Sequence, residues 1–290
     1  MEKGKKKAQS PEWSQLDSDL LVDIFNRLTL TDLLAGVSHV CEDWRMAASK
    51  TRFFLPGTGL DLRLVDALPP KEIAIYINLL RSCLLTETTQ FDHVQLPEEV
   101  ILPNDVVIAI ARRSTAVKSL QLPQISVNHF SPSLLAKTLP FWTNLTSFEA
   151  SSSRSTAVAC IRLLNLHCNN LAHLGLYGLI EKRQAQAIVS YLPGIESLDI
   201  RTSFFSESAL DIIIDGLKNL KKLNLRHAIC GDDDDMCDFT LKVLQGRGAK
   251  KLKKEVRDKL KSLEQLVYCG GETCRSCSWF YKVDVDHIHV

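Results

Sequence analysis

Leu16, Leu20, Leu21, Ile24, Phe25 and Leu28 recur at three- and four-residue steps, which is the spacing of one helical face. Asp17, Ser18 and Asp19 at the start of that run supply capping oxygens and negative charge for the first turn, so the pattern predicts an amphipathic helix of about three turns. Thr31 and Asp32 are placed to start a second short helix through Leu33, Leu34 and Val37. Ser38 is placed to start a third carrying Val40, Cys41, Trp44 and Arg45. Three short helices make a bundle too small for a comfortable core of its own, with apolar residues on more than one face, so it is expected to dock against something.

From residue 91 the pattern changes. Apolar residues at i, i+3 and i+5 recur as Phe91/Val94/Leu96, Val117/Leu120/Leu122, Leu145/Phe148/Ala150, Leu171/Leu174/Leu176, Ile195/Leu198/Ile200, Leu220/Leu223/Leu225 and Leu263/Leu266/Tyr268, at steps of 26, 28, 26, 24, 25 and 43 residues. The last two positions of each set fall on one face of a short strand. The segments between carry helix-start signals: Asn104 and Asp105, Ser131 before Pro132, and Ser206. Each unit therefore reads as one strand and one helix, and the 24- to 28-residue period is that of a leucine-rich repeat. Leu60, Leu62 and the apolar stretch from Ile73 to Leu85 predict an irregular first repeat that joins the bundle to the solenoid.

The fold class is thus α/β, with parallel strands on a concave face and helices on a convex one. Residues 1–12 read as a flexible basic tail, 13–54 as the helical bundle, and 55–290 as a solenoid of about seven or eight repeats. A charged insertion near 231–261 is bracketed by Asp232–Asp235 and by Lys250, Lys251, Lys253 and Lys254, and reads as a solvated loop.

The segment from Trp13 to Lys50 resembles an F-box. The family's Leu-Pro start, Ile-Phe pair, Asp-Leu pair, Val-Cys and Trp-Arg elements stand here as Leu16, Ile24 with Phe25, Asp32 with Leu33, Val40 with Cys41, and Trp44 with Arg45. Asp17 occupies the place where the family usually has proline, and the usual Leu-Trp after the third helix is represented by Phe53 and Phe54. Leu166, Cys168, Asn170, Leu171, Leu174 and Leu176 also fit the cysteine-containing subtype of the repeat. Taken together, the chain is similar to the small plant F-box/leucine-rich-repeat proteins.

That resemblance implies a substrate receptor of a Skp-cullin-F-box ubiquitin ligase. A Skp-type adaptor, and through it a cullin, would be bound by Leu16, Leu20, Leu21, Ile24, Phe25, Leu28, Leu33, Val40 and Trp44. For Phe25 and Trp44, packing within the bundle is an equal alternative to direct contact. The repeats would hold an unidentified protein substrate. A scaffold that delivers nothing to ubiquitin, and a ligand-dependent co-receptor, remain open readings of the same plan.

Strand alternation points residues i+2, i+4 and i+6 of each repeat out of the concave sheet. In the C-terminal half these include His173, Tyr177, Asp199, Arg201, Lys222, Asn224 and Arg226, a mixture of aromatic and arginine side chains of the kind enriched at protein interfaces. Arg201, Lys222 and Arg226 would suit an acidic or phosphorylated segment. Ser119, Gln121, Ser147 and Glu149 on the earlier strands read as blander.

Composition narrows the remaining classes. Lys and Arg number 35 against 34 Asp and Glu, so the whole chain carries no field to hold nucleic acid or an anionic membrane. No apolar run approaches the roughly 18 residues of a membrane span, and the Lys-rich opening lacks the apolar stretch of a secretory signal. An intracellular protein, nuclear or cytoplasmic, is expected. Nine cysteines, an odd number in a long chain, read mostly as reduced thiols.

Cys269, Cys274 and Cys277 form one cluster whose readings are a zinc site, with His287, His289 or Cys230 as a fourth ligand, or a buried-thiol cap on the last repeat. Cys168 falls where other repeats have Trp142, Leu192 and Leu217, so it reads as packing. No nucleophile elbow, phosphate loop or zinc-protease motif is present, so the chain is expected to be no enzyme and to need no cofactor.

Overall fold

The computed structural model describes residues 16–54, 59–86, 91–122, 131–153, 156–231 and 254–269. The basic tail, Asp232–Asp235, Lys250, Lys251, Lys253, Cys274, Cys277, His287 and His289 lie outside the described residues, whereas Lys254 begins a helix, Lys254–Leu260, that buries Val256 and Leu260 in place of the solvated loop expected up to residue 261.

The N-terminal bundle holds α1 (Ser18–Phe25), α2 (Leu30–Ala35) and α3 (Glu42–Ser49). Asp17 caps α1, its carboxylate accepting from the Asp19 amide at 2.8 Å. The helix has eight residues, shorter than the apolar run suggested, because after Phe25 the chain turns and Leu28 continues the inner face outside the helix. Two predicted caps move. Thr29, not Thr31, caps α2 through a 3.1 Å bond from the Asp32 amide. Ser38 does not start α3. It sits buried in a short 3-10 turn, donating to the Leu34 carbonyl at 2.7 Å, and α3 begins after Cys41.

Each bundle helix puts its inner residues into one core: Leu21 and Phe25 from α1, Leu33 and Leu34 from α2, and Ala47 and Ala48 from α3. The bundle is not free-standing. Helices α2 and α3 pack on α4 (Pro70–Thr86), and the Phe54 ring stacks on Tyr76 of α4 with centroids 4.7 Å apart. The Tyr76 hydroxyl donates to the Phe53 carbonyl at 3.0 Å. Phe53 and Phe54 thus join the bundle to the solenoid, and Phe54 is fully buried.

Eight strands then run side by side: β1 (Gly59–Asp61), β2 (His93–Gln95), β3 (Ser119–Gln121), β4 (Ser147–Ser152), β5 (His173–Ile180), β6 (Ser197–Asp199), β8 (Lys222–Leu225) and β10 (Gln265–Tyr268). Every pairing is parallel. Helices α5 (Asn104–Arg113), α6 (Pro132–Thr138), α7 (Ala157–His167), α8 (Lys182–Tyr191), α9 (Glu207–Gly216) and α10 (Lys254–Leu260) each pack against the next on the other side. The i, i+3 and i+5 residues fill the space between sheet and helices. They are buried in the sets from Phe91 through Ile200, and exposure returns only at the far end, where Tyr268 is 70% exposed.

A second ladder begins where the long β5 bends. Residues 179–180 pair with β7 (Phe204–Ser206), which pairs with β9 (Ile229–Gly231). The bends share one repeat position, seven residues after the first apolar residue, and the backbone there has positive φ in three successive units: Gly178 (130°), Thr202 (54°) and His227 (60°). Three residues before that first apolar residue runs another ladder, in which Ser114, Trp142, Cys168, Leu192 and Leu217 are all buried. The Trp142 indole donates to the Ser114 hydroxyl at 3.1 Å, and burial pushes the Cys168 thiol up to about 12. Cys168 is therefore a packing residue that stays protonated at neutral pH.

Candidate functional site

Two surfaces stand out, one on the bundle and one on the concave sheet. On α1, helical spacing divides the apolar residues into two faces. Leu21 and Phe25 point inward, and Phe25 meets Trp44 with ring centroids 5.3 Å apart. Leu20 and Ile24, one turn apart, point outward and are 49% and 39% exposed. Val40, before α3, is 58% exposed, while Leu16, Leu28 and Trp44 are half-buried. Leu20 and Ile24 thus leave an apolar stripe of α1 open to solvent.

On the concave face the sheet register aligns Glu149, Gly175, Asp199 and Asn224 across β4, β5, β6 and β8. Around this row a connected polar cluster forms. The Tyr177 hydroxyl donates to Glu149 Oε2 at 2.5 Å. Arg201 Nη2 donates to the same oxygen at 3.0 Å and to the Tyr177 oxygen at 2.7 Å. Its guanidinium lies over the Tyr177 ring, 5.2 Å from the centroid. Arg201 Nε is 3.4 Å from Asp199 Oδ2, an ion-pair contact without hydrogen-bond geometry.

The cluster extends in both directions. His173 Nε2 is 3.5 Å from Glu149 Oε1, and His173 Nδ1 is 2.9 Å from the Ser197 hydroxyl. Asn224 donates to Asp199 Oδ2 at 2.9 Å. The Glu149 carboxyl is drawn down to about 2, first by its contact with His173 and then by the Tyr177 hydroxyl and the Arg201 charge, against the opposing effect of partial burial. Burial, reinforced by the Glu149 charge, holds the Tyr177 phenol above its ordinary range. What this arrangement offers is a fixed hydrogen-bonding surface; it contains no activated nucleophile.

Gly175 makes the cluster possible. A Cβ at that position would lie 2.7 Å from Glu149 Cγ and 3.0 Å from the Tyr177 oxygen. Any other residue would occupy the space through which the tyrosine reaches the neighbouring strand.

Residues 13–56 match the F-box domain family. The chain is 26% identical over 229 residues to an F-box/LRR-repeat protein of Arabidopsis thaliana, covering 74% of this chain and 72% of that one. It is 24% identical over 247 residues to the F-box protein SKIP19 of the same plant, covering 82% and 78%. The chain thus carries an F-box domain and is similar to the F-box/leucine-rich-repeat proteins of that plant. Among solved structures, the leucine-rich repeat-containing protein LegL7 of Legionella pneumophila superposes with a TM-score of 0.42 at 12% identity, covering 86% of this chain and 77% of that one.

The F-box residues named from sequence separate into two groups. Leu21, Phe25 and Leu33 are buried in the domain core, so a partner cannot touch them directly; Leu20, Ile24 and Val40 are open. On the repeats, all seven named residues lie on the concave side, and two of them are covered by neighbouring side chains. Tyr177 and Asp199 are 3% and 7% exposed, because Arg201 covers the tyrosine ring and Asn224 and Arg201 cover the aspartate. Lys222 and Arg226 are exposed.

Glu149, read as bland from sequence, is the hub of the cluster. Its signal lies in the repeat alignment, where position i+4 holds an acid on each side of a glycine and position i+6 holds Tyr177 and Arg201. Among the described residues no group of His, Cys, Asp and Glu is placed to hold a metal ion. Of the cysteine cluster only Cys269 is described, half-buried, and the zinc question falls outside the described residues.

Proposed function

We propose that this F-box/leucine-rich-repeat protein is a substrate receptor of a Skp-cullin-F-box ubiquitin ligase. In this reading the F-box docks a Skp-type adaptor and the concave face of the repeats holds a protein for ubiquitination. The observation that carries the first half is the exposed pair Leu20 and Ile24 on the outer face of α1, within a segment that matches the F-box family. An amphipathic helix with an unburied apolar stripe suits a helix-in-groove contact.

The second half rests on shape and chemistry. Eight parallel strands present a broad continuous face, and the ordered cluster at Glu149, Tyr177 and Arg201 needs little rearrangement to meet a ligand, which lowers the entropic cost of binding. The chain would contribute proximity and orientation, with the bond-making chemistry supplied by a conjugating enzyme elsewhere in the complex.

Titration calorimetry of the purified chain with a Skp-type adaptor tests the reading. Changing Leu20, Ile24 and Val40 to Ala leaves the F-box core untouched. Each side chain is already partly exposed, so about 1 kcal/mol of apolar burial is lost per residue, and together they should weaken binding by roughly 100-fold. Circular dichroism checks that the variant is folded. An intact chain that does not bind the adaptor, or a folded triple variant that binds unchanged, would sink the proposal.

A further inference from the structure

Charge is unevenly distributed along the concave face. On β1 to β3 the outward positions hold Gly59, Asp61, His93, Gln95, Ser119 and Gln121, and the Asp61 carboxylate is bound by Arg63 at 2.6 Å. Gln95 donates to Gln121 at 3.2 Å, so this stretch carries no unmatched carboxylate or guanidinium. At β4 to β6 charges appear in matched form. Arg201 lies between Glu149 and Asp199, 3.0 Å from Glu149 Oε2 and 3.4 Å from Asp199 Oδ2, and two carboxylates more than offset one guanidinium.

At β8 the balance reverses. Lys222 and Arg226 are exposed, and the side chain of neither makes an ion pair or a hydrogen bond with a described residue. Asn224 between them is held on Asp199. Arg226 is the first residue after β8, and at a rise of about 3.3 Å per residue its Cα stands up to roughly 13 Å from that of Lys222.

We propose that Lys222 and Arg226 are the recognition cations of the concave face, and that their occupant is an extended acidic protein segment lying along β8 with two carboxylate side chains four residues apart. The inference rests on the reading that the concave face captures the substrate, and it names the class of that substrate. An extended segment has the same rise as the strand beneath it, so side chains four apart reach both cations. Arg201 is a positioning residue in this arrangement: it orders Tyr177 and Glu149 and has no unmatched charge to offer.

Glu149 and Asp199 supply the complementary exclusion. An acidic side chain placed over β4 to β6 would approach the carboxylates of Glu149 and Asp199, so acid is steered to β8 and uncharged polar groups are favoured beside Ser197 and His173. Specificity then comes from an attractive pair at one end and a repulsive pair in the middle.

The test is fluorescence anisotropy with a labelled nine-residue Ser/Gly peptide carrying Glu at its third and seventh positions, compared with peptides carrying Gln, Lys or phosphoserine there. The intact chain should bind the Glu peptide at least tenfold more tightly than the Gln peptide, with affinity falling as salt rises. Reversing Lys222→Glu and Arg226→Glu should abolish that preference and transfer it to the Lys peptide. Thermal unfolding checks that this double variant is folded, and the neutral pair Lys222→Gln and Arg226→Gln, expected to lose the preference without acquiring the new one, replaces it if it is not.

A Glu preference that survives charge reversal, no binding of the Glu peptide by the intact chain, or binding of the phosphoserine peptide alone overturns the assignment. A second variant, Gln121→Arg with Ser147→Arg, obstructs the middle of the face. Peptide binding lost in this variant but insensitive to charge reversal overturns the β8 assignment while leaving capture by the concave face standing. Binding insensitive to both variants overturns the capture reading as well.

Discussion

Tyr177 reaches from β5 to Glu149 on the neighbouring β4 and donates to it at 2.5 Å, although its own register partner on that strand is Ser151. The side chain leans back along the sheet over Gly175, the residue paired with Glu149. One absent Cβ therefore decides whether the polar cluster of the concave face exists.

Gly175→Ala tests that dependence. The added methyl would sit 2.7 Å from Glu149 Cγ, and neither Glu149 nor Tyr177 can withdraw without losing hydrogen bonds to the other and to Arg201. Overpacking of this kind typically costs about 1–3 kcal/mol. Gly194→Ala is the matched control, since nothing lies within 4 Å of its Cβ, and it should stay within about 0.5 kcal/mol of the parent. Urea unfolding of the three proteins decides the matter, and equal midpoints for the two variants would refute the account.

Glu149 also gives the fold a defined acid sensitivity. Its carboxyl stands at about 2 in the folded chain against an ordinary value of 4.5. A group lowered in this way contributes stability that is fully present above about pH 4.5 and is lost as pH falls through 2, because the unfolded chain takes up the proton first. Glu149→Gln removes the charge at every pH. The parent should therefore be more stable than the variant at pH 6, and the gap should narrow progressively between pH 4.5 and pH 2. Urea midpoints at a series of pH values measure it; a gap that stays constant across this window would show that Glu149 contributes nothing through its ionisation.

The repeat was legible because two periods coincide in it: alternation within each strand, and the return of the chain to the same edge every 24 to 28 residues. Both are local counts, and neighbouring units pack through the very residues being counted. Strand alternation also placed Tyr177 and Asp199 on the correct side of the sheet. It could not show that they are covered, since Arg201 over the Tyr177 ring and Asn224 on Asp199 stand 24 and 25 positions away in the next repeat unit. Glu149 was missed for the same reason: its partners Tyr177 and Arg201 meet it only when the units are stacked in register.

Capping was legible at Asp17, Ser131 and Ser206, where one polar residue stands at the start of a clear apolar run. At Thr29 and Thr31 two equivalent candidates stand two residues apart. The choice between them depends on where the turn after α1 releases the chain, which is a property of packing. The α1 face that stays open was equally hidden, because Leu20 and Leu21 are alike in sequence and only the bundle distinguishes them.

The join between the two domains yields a prediction about cooperativity. Phe53 and Phe54 stand where the family usually has Leu-Trp, and they still make the joint: Phe54 is fully buried against Tyr76, and Cys83 donates to the Phe54 carbonyl with its sulfur at 3.8 Å. Through this contact the small F-box shares the solenoid's core, so the two should unfold in a single transition. Tyr76→Phe removes only the 3.0 Å hydrogen bond to the Phe53 carbonyl and should cost about 0.5–1.5 kcal/mol with the transition still single. Phe54→Ala empties a buried aromatic site, typically at a cost of about 3–5 kcal/mol. It should also separate the F-box as an earlier-melting unit, because so small a domain has too little core to hold itself once uncoupled. Scanning calorimetry distinguishes the two variants: one shifted peak is expected for Tyr76→Phe and two peaks for Phe54→Ala. A single peak in Phe54→Ala would mean that the contacts of α2 and α3 with α4 couple the domains without the aromatic pair.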